Sequence, residues 1–261
     1  MKTFKLSLIL LLMLGAFSCK KDSTSSNSAV TTDQAADIAA SSLAENSEGL
    51  ASVTDDIAVN AQGISSVNTG GLTINSTGQS TSSVHQECGT TLTDSVTKAL
   101  TIDSVTLNYN FKYTHTLNCN NNVPDNLVNT LTYSGSFNGP RLTSSNSGSA
   151  TVTIAGLSQS SANFILNGEY KRSGSFQSKV GNDATGNSNV DIVGTNITLS
   201  KPDRKILSGS ATIAITGTGP RGNSFSFTGT IVFNGDNTAT LTINGTVYTI
   251  NVITGYRLRR L

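Results

Sequence analysis

The chain reads as mainly β: an antiparallel sheet or sheets, sandwich-like or a curved meander of roughly 8 to 11 strands, preceded by an N-terminal helix. Three observations predict this. From about residue 84 onward, apolar residues recur at every second position, the spacing that puts alternate side chains on opposite faces of a strand. Asn-Gly pairs stand between alternating runs, and this dipeptide readily takes the positive φ angles of a two-residue hairpin turn. Charged residues are only 13% of the 261 residues, so Ser, Thr, Asn and Gly carry the polar role, which suits strands and tight turns.

The N-terminus comes first. Lys2 and Lys5 form a positive region, and Leu6 to Leu14 an apolar run too short to span a bilayer. Small residues then lead to Cys19. The run Leu14-Gly-Ala-Phe-Ser-Cys19-Lys-Lys-Asp22 resembles a bacterial lipobox, which implies a signal peptide over 1–18 and lipidation of Cys19. The alternative is an ordinary signal peptide whose cysteine is incidental. Each acyl chain would add ~0.8 kcal/mol per buried methylene, and more than one makes the anchor stable. Residues 19–30, with Ser-Thr-Ser-Ser-Asn-Ser in their middle, read as a flexible tether.

The spacing then predicts an amphipathic helix over 31–64. Gln34 stands three residues after Thr31, the arrangement of a capping box. Ala36, Leu43, Leu50, Ile57 and Ile64 recur at heptad spacing. Gly49 lowers helix stability by roughly 1 kcal/mol, so one helix or two fit the pattern. The stripe is narrow and alanine-rich, which predicts loose packing on the β domain; a coiled-coil partner helix is the competing reading. Residues 65–83 are Ser/Thr/Gly/Asn-rich and read as a loop.

The β domain is expected over 84–261. Its clearest strand is Val105 to Cys119, where Val105, Leu107, Tyr109, Phe111, Tyr113, Leu117 and Cys119 fall on one face. A short strand is expected between Cys88 and this one. Further alternating runs cover 127–137, 148–157, 162–166, 169–176, 188–199, 206–216, 223–233, 238–243 and 246–254. Asn167-Gly168 and Asn244-Gly245 are read as tight hairpin turns. The inward set shifts within 188–199, which predicts a bulge near Gly194. Ser147–Gly156 and Ser208–Gly217 share seven of ten residues at an offset of 61, a repeated strand unit.

The Cys88-Gly-Thr-Thr-Leu-Thr segment, the long strand ending in Cys119, the Tyr-Ser-Gly-Ser strand and Asn163-Phe-Ile-Leu-Asn-Gly-Glu-Tyr170 follow one another in an order that resembles a group of uncharacterised lipoproteins of Bacteroidota. Their Cys-Lys-Lys-Asp start is similar too. The resemblance covers roughly 88 to 255. It implies an exported, β-rich, outer-membrane lipoprotein and carries no activity or functional residue.

Candidate sites are few. In an exported protein Cys88 and Cys119 are expected to form a disulfide, which would stabilise by about 3 to 4 kcal/mol. The competing reading is a tetrahedral zinc site of His85, Cys88, His115 and Cys119; otherwise His115 fills the edge of a core face and His85 sits in a loop. Gly217-Thr-Gly-Pro-Arg-Gly222 has the glycine spacing of a dinucleotide-binding loop, but strands lie on both sides where that loop needs a following helix, so it reads as a hairpin loop. Asp183 and Asp191, with Asn182, Asn187 and Asn189, offer oxygens to calcium, but their spacing fits no EF-hand. Arg257, Arg259 and Arg260 read as charges blunting a terminal edge strand, with an anionic-lipid contact as the alternative.

Composition limits function. Basic residues number 17 and acidic 16; without Lys2 and Lys5 the exported chain has 15 against 16, so no basic face for nucleic acid is expected. Only two histidines are present, no Gly-x-Ser-x-Gly elbow occurs, and no feature pairs two carboxylates as a glycosidase requires. The expectation is therefore a lipid-anchored envelope protein of structural or interaction type, with no catalytic activity and no cofactor, held to the membrane by its N-terminal lipid. The alternative is a glycan- or small-ligand-binding lipoprotein of a surface uptake system, although zero tryptophan and six tyrosines offer few aromatic platforms.

Overall fold

The computed structural model describes residues 29–66, 86–102 and 104–260. The expected signal peptide, Cys19 and His85 lie outside the described residues. Helix α1 (Thr32–Leu43) and helix α2 (Leu50–Ser66), joined through a single 3₁₀ turn at Glu45–Ser47, precede the strands. These are β1 (Thr91–Ile102), β2 (Val105–Asn120), β3 (Val123–Asn138), β4 (Leu142–Ala155), β5 (Asn163–Ser178), β6 (Thr185–Ser200), β7 (Ile206–Thr218), β8 (Ser224–Phe233), β9 (Thr238–Ile243), β10 (Thr246–Asn251) and β11 (Arg257–Arg260). They form one antiparallel sheet in which spatial order equals sequence order. Of the two expected architectures, the curved meander is the observed one.

The alternating pattern has a simple consequence. Each strand turns its apolar residues to one face, and that face curls around the helices. In β2, Leu107, Tyr109, Phe111, Tyr113, His115 and Leu117 are buried in alternation with exposed or half-buried polar residues. Helix α1 packs on β4, β7, β9 and β10, and α2 on β3, β4 and β5. One helix can touch strands this far apart in the order only if the sheet wraps around it. Rings of the inward face pack from strand to strand: Tyr109 tilted on Tyr133 at 6.1 Å, Tyr133 stacked on Tyr170 at 5.7 Å. Each such aromatic removes about 150–250 Å² from water. The outward face is mostly Thr, Ser and Asn with scattered apolar residues such as Ile165, Val193 and Val232, not the continuous apolar outer band of a membrane-spanning barrel. No described helix is long and apolar enough to cross a membrane.

The helical segment differs from the expected single-faced helix. The capping box forms as read, with the Gln34 amide donating to Thr31 Oγ1 and the Gln34 side chain accepting from the Thr31 amide. But every residue from Gln34 to Leu43 is buried. The packing is not loose: the alanines make α1 thin enough to sit inside the curl of the sheet, so its polar residues are enclosed as well. The chain breaks at Ala44, which is extended, and Glu48, which is left-handed at φ 52°. Gly49 then lies against the last turn of α1; a Cβ there would fall 2.6 Å from the Ser42 carbonyl.

Two strand-level expectations are corrected. Asn167-Gly168 is no turn: β5 runs through it, with a register shift against β6 at Leu166/Gly168. The reason lies across the ladder, where Asn196 takes φ 50° and its amide donates to Asn167 Oδ1 at 2.8 Å. The bulge expected near Gly194 is present, seen in the β6–β7 register between Thr195 and Thr198. The short strand after Cys88 is a 12-residue edge strand, β1. Asn244-Gly245 does form the tight β9–β10 turn, with φ 47° and 79°. The sequence echo maps onto β4 and β7, where Ala150, Val152 and Ile154 match the buried Ala211, Ile213 and Ile215.

Candidate functional site

The polar chemistry of the interior follows α2. Ser52, Asp56 and Asn60 stand four residues apart and share one face of α2, and Glu48, in the break before the helix, joins them by accepting from Ser52 Oγ at 2.6 Å. Alternation in β1 and β2 points Lys98, Tyr113 and His115 at that face. Lys98 Nζ donates to Glu48 Oε2 at 2.9 Å, Ser52 Oγ at 3.0 Å and Asp56 Oδ2 at 2.8 Å. Tyr113 donates to Asp56 Oδ2 at 2.5 Å. Burial opposes the Lys98 charge, but Asp56 and Glu48 outweigh it and raise its pKa. Burial, then the Asp56 charge, holds the Tyr113 hydroxyl well above the ordinary phenol range. An ammonium held this way is a cationic strut between β1 and α2, not a free amine base.

His115 continues the same line. Its Nε2 lies 3.0 Å from Asn60 Nδ2, and its Nδ1 2.5 Å from Asn129 Oδ1. Asn129 Nδ2 donates to the Leu127 and Val152 carbonyls, so its Oδ1 is the group facing His115. That assigns the proton to Nδ1 and leaves Nε2 to accept from Asn60. Burial lowers the pKa of the ring despite the Asn129 bond. Cys88 and Cys119 have Cα atoms 5.6 Å apart and sulfurs at bonding distance, which clamps the segment before β1 to the end of β2. The zinc reading therefore loses its two thiolates to one another, and His115 takes asparagines as its partners. Among the described residues no three His, Cys, Asp or Glu side chains converge.

Two further clusters hold the helices. Arg172 on β5 is 4% exposed. Its guanidinium donates to the carbonyls of Ser41 at 2.8 Å, Ser47 at 2.7 Å and Glu48 at 3.3 Å, and to the Tyr109 hydroxyl at 3.2 Å. It thus satisfies the unpaired carbonyls where α1 ends, at the negative end of the helix dipole. Asp37 on α1, 4% exposed, binds Arg141 of the β3–β4 turn through both oxygens, at 2.9 and 3.1 Å. Arg257 Nε lies 2.8 Å from the same carboxylate. Arg257 is therefore not a solvated charge on a terminal strand: it faces inward, over the Tyr248 ring, and ties β11 to α1.

The other sequence candidates separate. Gly217–Gly222 is the end of β7 and the β7–β8 turn, which contains the 3₁₀ turn Pro220–Gly222. Asp183 lies in the β5–β6 turn and Asp191 in the middle of β6, while Asn182 is engaged by Gln34 at 2.5 Å, so the calcium set is not assembled. Sequence reasoning missed Lys98, Asp56, Arg172, Asp37 and Arg141. The available signal was a charge at an inward position of an alternating run, as in Val96-Thr-Lys98 and Tyr170-Lys-Arg172.

The outer face carries a groove, about 580 Å³, across β6 to β9. Thr212, Thr230 and Thr242 form a cross-strand row along it, beside Val193, Thr228 and Asp191. Burial, and then the neighbouring Glu169, raises the Asp191 carboxyl pKa, with Lys171 acting the other way. Such a surface presents hydroxyls, methyls and one carboxyl. Comparison of the chain with protein families, curated proteins and solved structures finds no match.

Proposed function

We propose that this protein is a lipid-anchored component of the cell envelope, attached through Cys19, whose β domain acts by interaction and not by catalysis. The observation that carries this reading is the use made of the interior ionisable groups. Lys98, His115, Arg172 and Asp37, the side chains best suited to acid–base or electrostatic catalysis, each join helix to sheet and are closed off by their partners. The anchor rests on the positive region, short apolar run and cysteine of residues 2–19. Membrane fractionation of cells expressing the parent and Cys19→Ala tests it. The parent is expected with the membranes and the variant in the soluble fraction; a variant that stays membrane-bound refutes it.

The outer groove favours the second reading, a glycan- or small-ligand-binding lipoprotein. A Thr230→Arg substitution, on the exposed face of β8, fills the groove without touching the core. Glycan-array binding by the parent that this variant loses supports the reading, and equal binding by both, or none by either, refutes it.

A further inference from the structure

We propose that the end of the sheet carrying the β3–β4, β5–β6 and β7–β8 turns lies against the lipid surface, and that the opposite end points away from it. The inference rests on lipid attachment at Cys19 and adds the orientation that attachment imposes.

The chain enters the fold at one end. The Ala29 carbonyl accepts from Asn182 Nδ2 at 3.4 Å, and Val30 packs on Gly219. Asn182 lies in the β5–β6 turn and Gly219 in the β7–β8 turn. A single row of paired residues, Thr106, Asn138, Thr143, Gln177 and Thr185, places the β1–β2 and β3–β4 turns at the same end. The β2–β3 turn, the β4–β5 connection and the β6–β7 turn occupy the other.

Length then decides. Strands β2, β3, β5 and β6 each have 16 residues, about 53 Å of strand at ~3.3 Å per residue, or about 37 Å along the axis even at the ~45° tilt of a barrel. Ten Cα-to-Cα steps lead from Cys19 to Ala29, and whatever path they take they span at most about 36 Å. A lipid on Cys19 can therefore hold the proximal end at the membrane, but the far end can reach the surface only with the tether fully stretched along the whole wall. The described side chains of the proximal end agree with that side facing lipid. Lys179 and Arg221 are exposed there against Asp183, Arg141 is neutralised by Asp37, and the tip of β1 exposes Leu100 and Ile102.

The chain lacks tryptophan, so a single introduced Trp reports position. Mature protein from Cys19 onward, its other two cysteines paired, is coupled through the Cys19 thiol to maleimide-bearing lipid in phosphatidylcholine vesicles containing a minor fraction of phosphatidylglycerol. Ser224→Trp marks the proximal end and Ser160→Trp the far end; both positions are exposed. With a quencher on the lipid headgroups, Trp at 224 is expected to be quenched several-fold more than Trp at 160. Equal quenching, stronger quenching at 160, or none at either site overturns the proposal. Because the coupling is chemical, this result is independent of whether cells lipidate Cys19, which the fractionation of Cys19→Ala decides separately.

Discussion

Replacing Arg172 by Met tests whether the buried guanidinium holds the helix break in place. Met keeps most of the apolar stem and removes the head. The consequences differ among its acceptors. The Ser41 carbonyl still accepts from Ser47 Oγ at 2.6 Å, the Glu48 carbonyl from Tyr170 at 3.1 Å, and the Tyr109 hydroxyl still donates to Asn146 at 3.0 Å. The Ser47 carbonyl, bonded to Arg172 at 2.7 Å, is left without a donor inside the protein. One orphaned buried group costs about 1–3 kcal/mol, and the loss of bonds from a charged donor adds to it. Relief of the buried cation's desolvation subtracts. The expected net loss is about 2–4 kcal/mol. With a urea slope of about 2 kcal/mol/M, the unfolding midpoint falls by about 1–2 M. Arg172→Lys, which keeps the charge but not the fork, is expected to lie between. A Met variant within about 0.5 kcal/mol of the parent, the range of ordinary surface changes, would show that the carbonyls are satisfied without Arg172.

Three other outcomes follow from particular contacts. Gly49→Ala would stabilise by roughly 1 kcal/mol if helix propensity ruled, but its Cβ would fall 2.6 Å from the Ser42 carbonyl, so a loss of more than about 1 kcal/mol is expected in denaturant titration. Reduction should add about two mass units to the intact protein, and Cys88→Ser with Cys119→Ser should cost about 3 to 4 kcal/mol for a separation of 31 residues; free thiols in the native protein would be contrary to this. Burial lowers the His115 pKa below 6.5, so below that pH the unfolded chain binds a proton the native state refuses. The stability from a neutral His115 is complete above pH ~6.5 and declines as the pH falls toward its native pKa. Glu45, whose pKa is raised by burial and then by Asp55, acts in the opposite sense, so the parent is compared with His115→Gln. The stability advantage of the parent should shrink between pH 8 and 5, and a constant difference would contradict the buried-neutral assignment.

What the sequence by itself determined is the local grammar. Period-two alternation gave the strand faces from Leu107 to Leu117, Asn244-Gly245 gave a real turn, and Thr31 with Gln34 gave a real cap, because each depends on neighbours within a few residues. The cysteine pair was legible from the expectation of export and from count, since only two cysteines follow Cys19. What only the tertiary structure decided is which polar residues are inside. Lys98, Arg172 and Asp37 look like solvated charges in a one-dimensional pattern. They become struts because the sheet curls until its concave face surrounds a helix on every side, and a thin, alanine-rich helix with enclosed polar groups needs donors and acceptors from distant strands. Asn167-Gly168 failed as a turn for the same reason: whether a flexible dipeptide reverses the chain or passes through it is settled by the strand it faces, and that partner, β6, lies about thirty residues away along the chain.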